Sequence, residues 1–173
     1  ILWRNSSTGE TIVWQMNGAK VTSNSTTYRD TNTRTVASNS WQFFSAVDFN
    51  NDNKADILWR NSSTGETVVW NMDGAKIAAF SSTTSNNQRL IQGTSWQVIS
   101  TTDFTGDGNA DILWHNTNTG EVRLWQMDLA KIVVNSAIGK APTSEWQLFK
   151  AANFYGDSKV DSLWVNSSNN LAK

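Results

Sequence analysis

The stretch Asp103-Phe-Thr-Gly-Asp107-Gly-Asn-Ala-Asp111-Ile-Leu-Trp-His-Asn116 decides the reading of this chain, because it occurs three times. One copy is Asp48-Phe-Asn-Asn-Asp52-Asn-Lys-Ala-Asp56-Ile-Leu-Trp-Arg-Asn61, and the other is Asn153-Phe-Tyr-Gly-Asp157-Ser-Lys-Val-Asp161-Ser-Leu-Trp-Val-Asn166. The second half alone opens the sequence as Ile1-Leu-Trp-Arg-Asn5. The Leu-Trp pairs are spaced by 56, 55 and 50 residues, so the sequence is a tandem array of one unit. Downstream, Asn61-Ser-Ser-Thr-Gly-Glu-Thr-Val-Val-Trp-Asn-Met-Asp-Gly-Ala-Lys76 repeats Asn5–Lys20 and, with more drift, 116–131. A third block opens with Trp-Gln at Trp41, Trp96 and Trp146 and runs into the Asp-rich stretch.

Each repeat reads as four short strands. Trp41–Phe49 is apolar and β-prone, and Ala55–Arg60 is short and apolar. Ser63-Thr-Gly-Glu66 carries turn chemistry. Thr67–Met72 is rich in Val and Trp, Asp73-Gly74 signals a hairpin, and Lys76–Phe80 opens a fourth strand. Residues 81–88 read as loop, and Arg89–Gln92 as a completion of the outer strand. No helical period is present. Four antiparallel strands per fifty-odd residues predict an all-β chain of β-propeller blades. A sandwich is the alternative architecture, but its strands have no reason to be copies of one another. The boundaries are a partial blade at 1–40, blades at 41–95 and 96–145, and a partial blade at 146–173. Propellers close with four to eight blades, so the array is expected to be a partial ring: a fragment of a longer protein, or a chain whose copies associate to complete the ring.

The ten tryptophans fall into three repeat positions: Trp3, Trp59, Trp114 and Trp164; Trp14, Trp70 and Trp125; Trp41, Trp96 and Trp146. Such regularity favours rings filling the same slot in each copy. Trp59 and Trp114 are nonetheless candidates for a ligand-stacking face. The variable residue after them (Arg4, Arg60, His115, Val165) is the candidate ligand-facing position.

The Asp-rich stretches place oxygen-bearing residues at positions 1, 3, 5 and 9, with position 7 available through its backbone carbonyl. A tight loop with this spacing turns alternate groups inward and supplies the hard oxygen ligands that Ca²⁺ takes at about 2.3–2.6 Å. The first two loops each hold three carboxylates. The third has Asn153 in place of the first acid and Tyr155 at position 3, leaving Asn153, Asp157 and Asp161 as a weaker set. Three close carboxylates repel one another, so the expected role of a cation is to neutralise them and lock the turn.

Composition bounds the partners. Fourteen basic against fifteen acidic residues give a net charge of −1, with no excess to neutralise a phosphate backbone, so nucleic acid is not expected. Apolar runs are far short of a bilayer span. The absence of cysteine removes disulfides, thiolate catalysis and Cys-based zinc sites. His115 is the single histidine, and no Ser/His/Asp set or phosphate loop is present, so no enzyme is expected. The polar, weakly charged surface suits an extracellular protein.

These blocks resemble the FG-GAP/VCBS type of repeat, which builds the blades of integrin-α-like and bacterial extracellular β-propellers. The resemblance implies a secreted or cell-surface location, bacterial in type, and Ca²⁺ in an Asp-x-Asp-x-Asp-Gly-x-x-Asp loop. Carried over, one site would use Asp48, Asn50, Asp52 and Asp56 with the Lys54 carbonyl. The other would use Asp103, Thr105, Asp107 and Asp111 with the Asn109 carbonyl. Asn53 and Ser158 depart from the family's loop glycine. Relatives include sugar-binding lectins, adhesion modules and appendages of secreted enzymes. The expected partner is therefore a glycan or protein at the cell surface. The competing reading is a surface-layer or filament subunit.

Overall fold

The computed structural model describes residues 1–30, 33–34, 37–141, 145–156 and 159–166, and the described chain is all-β. In chain order, β1 (Leu2–Arg4), β2 (Thr11–Asn17) and β3 (Lys20–Thr26) form one sheet. The second sheet contains β4 (Tyr28–Asp30), β5 (Thr33–Arg34), β6 (Trp41–Val47), β7 (Asp56–Asn61), β8 (Thr67–Asp73) and β9 (Lys76–Ser82). The third contains β10 (Thr84–Ser85), β11 (Gln88–Arg89), β12 (Trp96–Thr102), β13 (Asp111–Asn116), β14 (Glu121–Asp128) and β15 (Lys131–Lys140). The fourth pairs β16 (Trp146–Ala152) with β17 (Asp161–Asn166). The four-stranded antiparallel blade is present twice, as β6–β9 and β12–β15, and the four sheets form an open, partial β-propeller.

Local chemistry sets the strand ends. Asn5, Asn61 and Asn116 close their strands with a side-chain carbonyl that accepts the amides two and three residues on, at 2.9–3.1 Å. Gly65 follows in the left-handed region, with φ at +75°, and a Cβ there would overlap the Gln92 carbonyl. The β8–β9 turn centres on Gly74 and Ala75, one residue beyond the predicted Asp73-Gly74.

One expectation needs correction. Arg89–Gln92 does not complete the outer strand of its own blade. The chain leaves β9 at the buried Thr83, whose amide donates to Thr67, and crosses over. Thr84 and Ser85 then pair in parallel with Lys131 and Ile132 of the next blade, and Gln88–Arg89 folds back on them. Tyr28 makes the same handover, pairing in parallel with Lys76. The connecting segments after β3 and β9 thus latch onto the outer strand of the following blade.

Packing explains why the inner strands are hydrophobic without alternation. Both faces of a central blade are covered, so β7 and β13 bury successive residues. Ile57, Trp59 and Trp70 face the preceding sheet, where Leu2 meets them. Leu58, Val69 and Phe49 face the following one, against Ile112, Trp114, Trp125 and Met127. Trp59 and Trp70 form a tilted pair at 5.0 Å, repeated as Trp114–Trp125 at 4.7 Å and Trp3–Trp14 at 5.1 Å.

Phe49 is the residue that links one blade to the next. It sits in an Asp-rich loop yet is fully buried in the neighbouring blade's core, whereas its counterpart Phe154 is 51% exposed. Phe49→Ala is expected to cost about 3–5 kcal/mol, and Phe154→Ala about 1 kcal/mol or less. Urea unfolding of the two variants measures the contrast.

Candidate metal loops and the inter-blade clamp

The Asp-rich loops are built around their first and last acids. In the first loop Asp48 accepts the amides of Asn50 at 3.1 Å, Asp52 at 3.3 Å and Asn53 at 2.7 Å. In the second, Asp103 accepts Thr105 at 3.1 Å, Gly106 at 2.6 Å, Asp107 at 3.3 Å and Gly108 at 2.8 Å. This wrapping needs left-handed backbone at positions 4 and 6: Asn51 and Asn53 in one loop, Gly106 and Gly108 in the other. Asn at position 6 therefore does the conformational work of the missing glycine. Burial works to raise the Asp48 and Asp103 carboxyls, but the inward amides outweigh it and hold both below the usual carboxylate range.

Position 5 caps the second half of each loop. Asp52 accepts Lys54 N–H at 2.8 Å and Asp107 accepts Asn109 N–H at 2.8 Å. Asn50 lies against Asp52 at 3.5 Å, and the Thr105 hydroxyl lies 3.5 Å from Asp103. The Lys54 ammonium pairs with Asp73 at 3.1 Å on the surface. In the third loop Asn153 accepts Gly156 N–H at 2.6 Å and Asp161 accepts Phe154 N–H at 2.9 Å. Asp157 lies outside the described residues.

Position 9 behaves differently from the others. Asp56 and Asp111 are completely buried. Asp56 takes the Phe49 amide on one oxygen and the Met72 amide on the other, both at 3.0 Å. Asp111 takes Phe104 and Met127 in the same way, both at 3.0 Å. Each carboxylate thus ties the loop to the third strand of its blade. Burial pushes the Asp111 carboxyl up to about 6; the Met127 and Phe104 amides pull the other way, and the charges of Asp107 and Asp103 add to the rise. Asp56 is raised for the same reasons.

The loops offer the donor chemistry that Ca²⁺ takes. The donors are all hard oxygens, and Asp56 and Asp111 feel the repulsion of their loop acids, which a cation would relieve. Among the described residues, however, no three acidic or histidine side chains converge on one point. The first acid is turned toward the amides of its loop and the ninth toward the core. The chemistry of the donors fits the cation.

The second loop docks on the first. Ala110 donates to the Asp48 carbonyl and Leu129 to that of Phe49, both at 2.8 Å. A Cβ at Gly108 would strike the Asn51 side chain. The loops therefore form a contiguous row along one end of the blades.

Trp59 and Trp114 are 1% and 0% exposed and pack as core rings; Trp59 also borders a pocket of about 420 Å³ together with Trp41 and Trp70. Arg60 faces the neighbouring blade. Its guanidinium lies 4.7 Å from the Trp114 ring centre and donates to the carbonyls of Gly65, Gln92, Gly93 and Trp96 at 2.8–3.1 Å. Arg4 repeats the arrangement over Trp59, also at 4.7 Å, with Ala37 and Ser38 as acceptors. Planar stacking combined with carbonyl chelation is a task that Arg performs and Lys cannot. This clamp went unread in the sequence, although its signal was there: an Arg recurring directly after a repeated Trp. At the third step His115 replaces the Arg and lies edge-on to Trp164 at 6.0 Å.

A groove accompanies each of the last two steps. Between β6 and β12 it holds about 310 Å³ and is lined by Gln42, Phe44, Arg60, Ser62, Trp96 and Gln97 among others. Between β12 and β16 it holds about 400 Å³, with Gln97, Ile99, His115, Thr117, Trp146 and Gln147 in the matching places, and Trp164 in addition.

Asp111→Asn would turn an amide N–H toward a backbone N–H, and is expected to cost about 2–3 kcal/mol. A pH signature accompanies it. The Asp111 carboxyl is raised in the folded protein, so its protonated form stabilises fully below the ordinary carboxylate value, and that stability is lost as pH rises through about 6. In metal-free buffer, the melting temperature of the unmodified protein minus that of Asp111→Asn is expected to shrink over that interval.

Residues 48–114 match the family described as FG-GAP-like repeat. Comparison with curated proteins and with solved structures gives no significant match. The matched stretch runs from the first Asp-rich loop to the tryptophan of the next repeat, which is the unit whose blade-to-blade docking is described above, and residues 48–114 are an FG-GAP-like repeat.

Proposed function

We propose that this protein is a non-catalytic, calcium-stabilised binding module that works outside the cell or on its surface, with carbohydrate as its ligand class. The observation that carries the ligand class is the repeated inter-blade groove. Each of the two copies combines glutamine amides, a hydroxyl and an aromatic ring (Gln42, Ser62, Gln97 and Trp96; Gln97, Thr117, Gln147 and Trp146). Amides and hydroxyls match sugar hydroxyls, and rings match the apolar face of a pyranose. A surface poor in charge agrees with an uncharged ligand, and FG-GAP-like repeats are typical of extracellular proteins. No helix among the described residues is long and apolar enough to cross a membrane.

Calcium would belong in the first two loops, held by Asp48, Asp52 and Asp56 and by Asp103, Asp107 and Asp111, with Asn50, Thr105 and the Lys54 and Asn109 carbonyls. Its contribution would be charge neutralisation and a fixed loop row, coupled to folding through preferential binding to the native state. At a hundredfold excess over Kd it is expected to add about 2.7 kcal/mol per site. Differential scanning fluorimetry should show the melting temperature rising by several degrees on adding Ca²⁺ and falling with chelator. Asp52→Asn combined with Asp107→Asn should abolish the response.

A glycan array probed with and without Ca²⁺ tests the ligand class. Saturable, Ca²⁺-sensitive binding to one sugar family is the expected result, and a blank array in both conditions contradicts it.

A second reading, self-association, has one specific observation behind it. Trp3 and Phe154 are each 51% exposed, although their counterparts Trp59, Trp114 and Phe49 are buried against a neighbouring blade. Those faces are shaped for another blade-like surface. Light scattering of the 173-residue chain over a concentration series tests it, and a strictly monomeric protein removes it.

A further inference from the structure

The two grooves occupy equivalent places in the repeat; Phe44 is matched by Ile99 and Ser62 by Thr117, and the change that alters the inner wall is from Arg60 to His115. Between the second and third sheets Arg60 fills the inner wall, its guanidinium lying over Trp114, and Trp114 does not line that groove. Between the first and second sheets Arg4 covers Trp59 in the same way. Between the third and fourth sheets the residue is His115, whose ring is shorter and stands edge-on to Trp164. Three consequences are visible there. The groove is larger, at about 400 Å³ against about 310 Å³. The Trp164 ring becomes part of its wall. The His115 Nε2 is closed off from solvent with no hydrogen-bond partner.

We propose that this groove, lined by Gln97, His115, Gln147, Trp146 and Trp164, binds a guanidinium group supplied from outside, either by a small arginine-like molecule or by an arginyl side chain of a partner protein. The protein itself shows the chemistry twice. Where the repeat supplies its own guanidinium, that group lies over the corresponding tryptophan and donates to backbone and hydroxyl oxygens. Where the repeat lacks it, the same ring and a cleft of sufficient volume remain. The amide oxygens of Gln97 and Gln147 are available chemistry for a planar donor. Burial holds His115 below its ordinary pKa, which keeps the ring uncharged at neutral pH and removes a competing cation. An ammonium has the charge but not the planar fork, so lysine should be a poor substitute. The inference replaces the carbohydrate reading at this groove only, leaves the groove of Gln42, Ser62 and Trp96 to it, and does not depend on calcium.

The single histidine makes the test site-specific, because its imidazole proton signals report only on this groove. The 173-residue protein, with Ca²⁺ present, is titrated at pH 7.5 with N-acetylarginine amide, N-acetyllysine amide, an arginine-containing peptide and a panel of neutral monosaccharides. Saturable shifts of the His115 signals with the arginine amide are expected, with a Kd on the order of 1–10 mM, and binding roughly tenfold weaker for the lysine amide. Tighter binding of the peptide than of the amide would assign the group to a protein partner, and equal binding to a small molecule; both support the proposal. His115→Arg should raise the melting temperature and, by calorimetry, bind no arginine amide, because the groove then carries its own guanidinium. Trp164→Leu should lose the affinity for arginine amide without that thermal gain. If either variant fails to fold, the arginine-against-lysine contrast in the unmodified protein decides. Absence of a saturable shift, equal response to lysine, or a response to sugar alone would each overturn the proposal.

Discussion

One buried carboxylate in each full blade organises this structure. Asp56 and Asp111 lie at the start of the second strand of their blades, and each accepts one amide from the loop before it and one from the third strand beside it. A carboxylate without such partners would be intolerable at zero exposure. With them, it fixes the distance and angle between the loop and the blade. The loop in turn carries Phe49, which is buried not in its own blade but in the next. Blade geometry and blade stacking are therefore set by the same side chain, and the stacking face is as well packed as the sheet interior.

The remaining inter-blade contacts build on that placement. The Asp48 and Phe49 carbonyls receive amides from the next blade's loop and turn. The connecting segments after β3 and β9 add short parallel pairings onto the following outer strand. Arg4 and Arg60 close the opposite side by stacking on the next tryptophan and gathering its neighbouring carbonyls. Three independent devices thus join one blade to the next: a loop core, a latch and a cation clamp. Each is encoded within a single repeat, so the arrangement propagates along the array. Variation at one of them, as at His115, changes a groove without disturbing the others.

Much of this was legible in the sequence, for definable reasons. Strand positions followed from β-branched and aromatic runs bounded by Asn and Gly, and the four main strands of each full blade fall within a few residues of their expected places. Repetition identified the tryptophans as packing residues, and the burial of Trp59, Trp114 and Trp125 reflects it. The latch was missed because pairs of two residues in parallel with a strand more than forty positions away leave no local signature. The amide partners of the ninth-position Asp are not legible in the sequence, because an Asp after an Asp-rich turn looks the same whether or not two backbone amides also face it. Arg60 lines the groove between β6 and β12, as a residue that varies between repeats suggests, and also clamps the neighbouring blade. In two of the four copies it is a clamp, and that variability marks where the clamp is absent.

The buried carboxylate binds loop, blade and neighbour into one cooperative unit. Native-state hydrogen exchange measures this most directly. The amides of Phe49, Met72, Phe104 and Met127 are predicted to exchange together, only through global unfolding, with protection equal to the most stable amides of β7 and β13. Exchange of the Phe49 and Phe104 amides at the rate of exposed turn amides, while the strands stay protected, would contradict it.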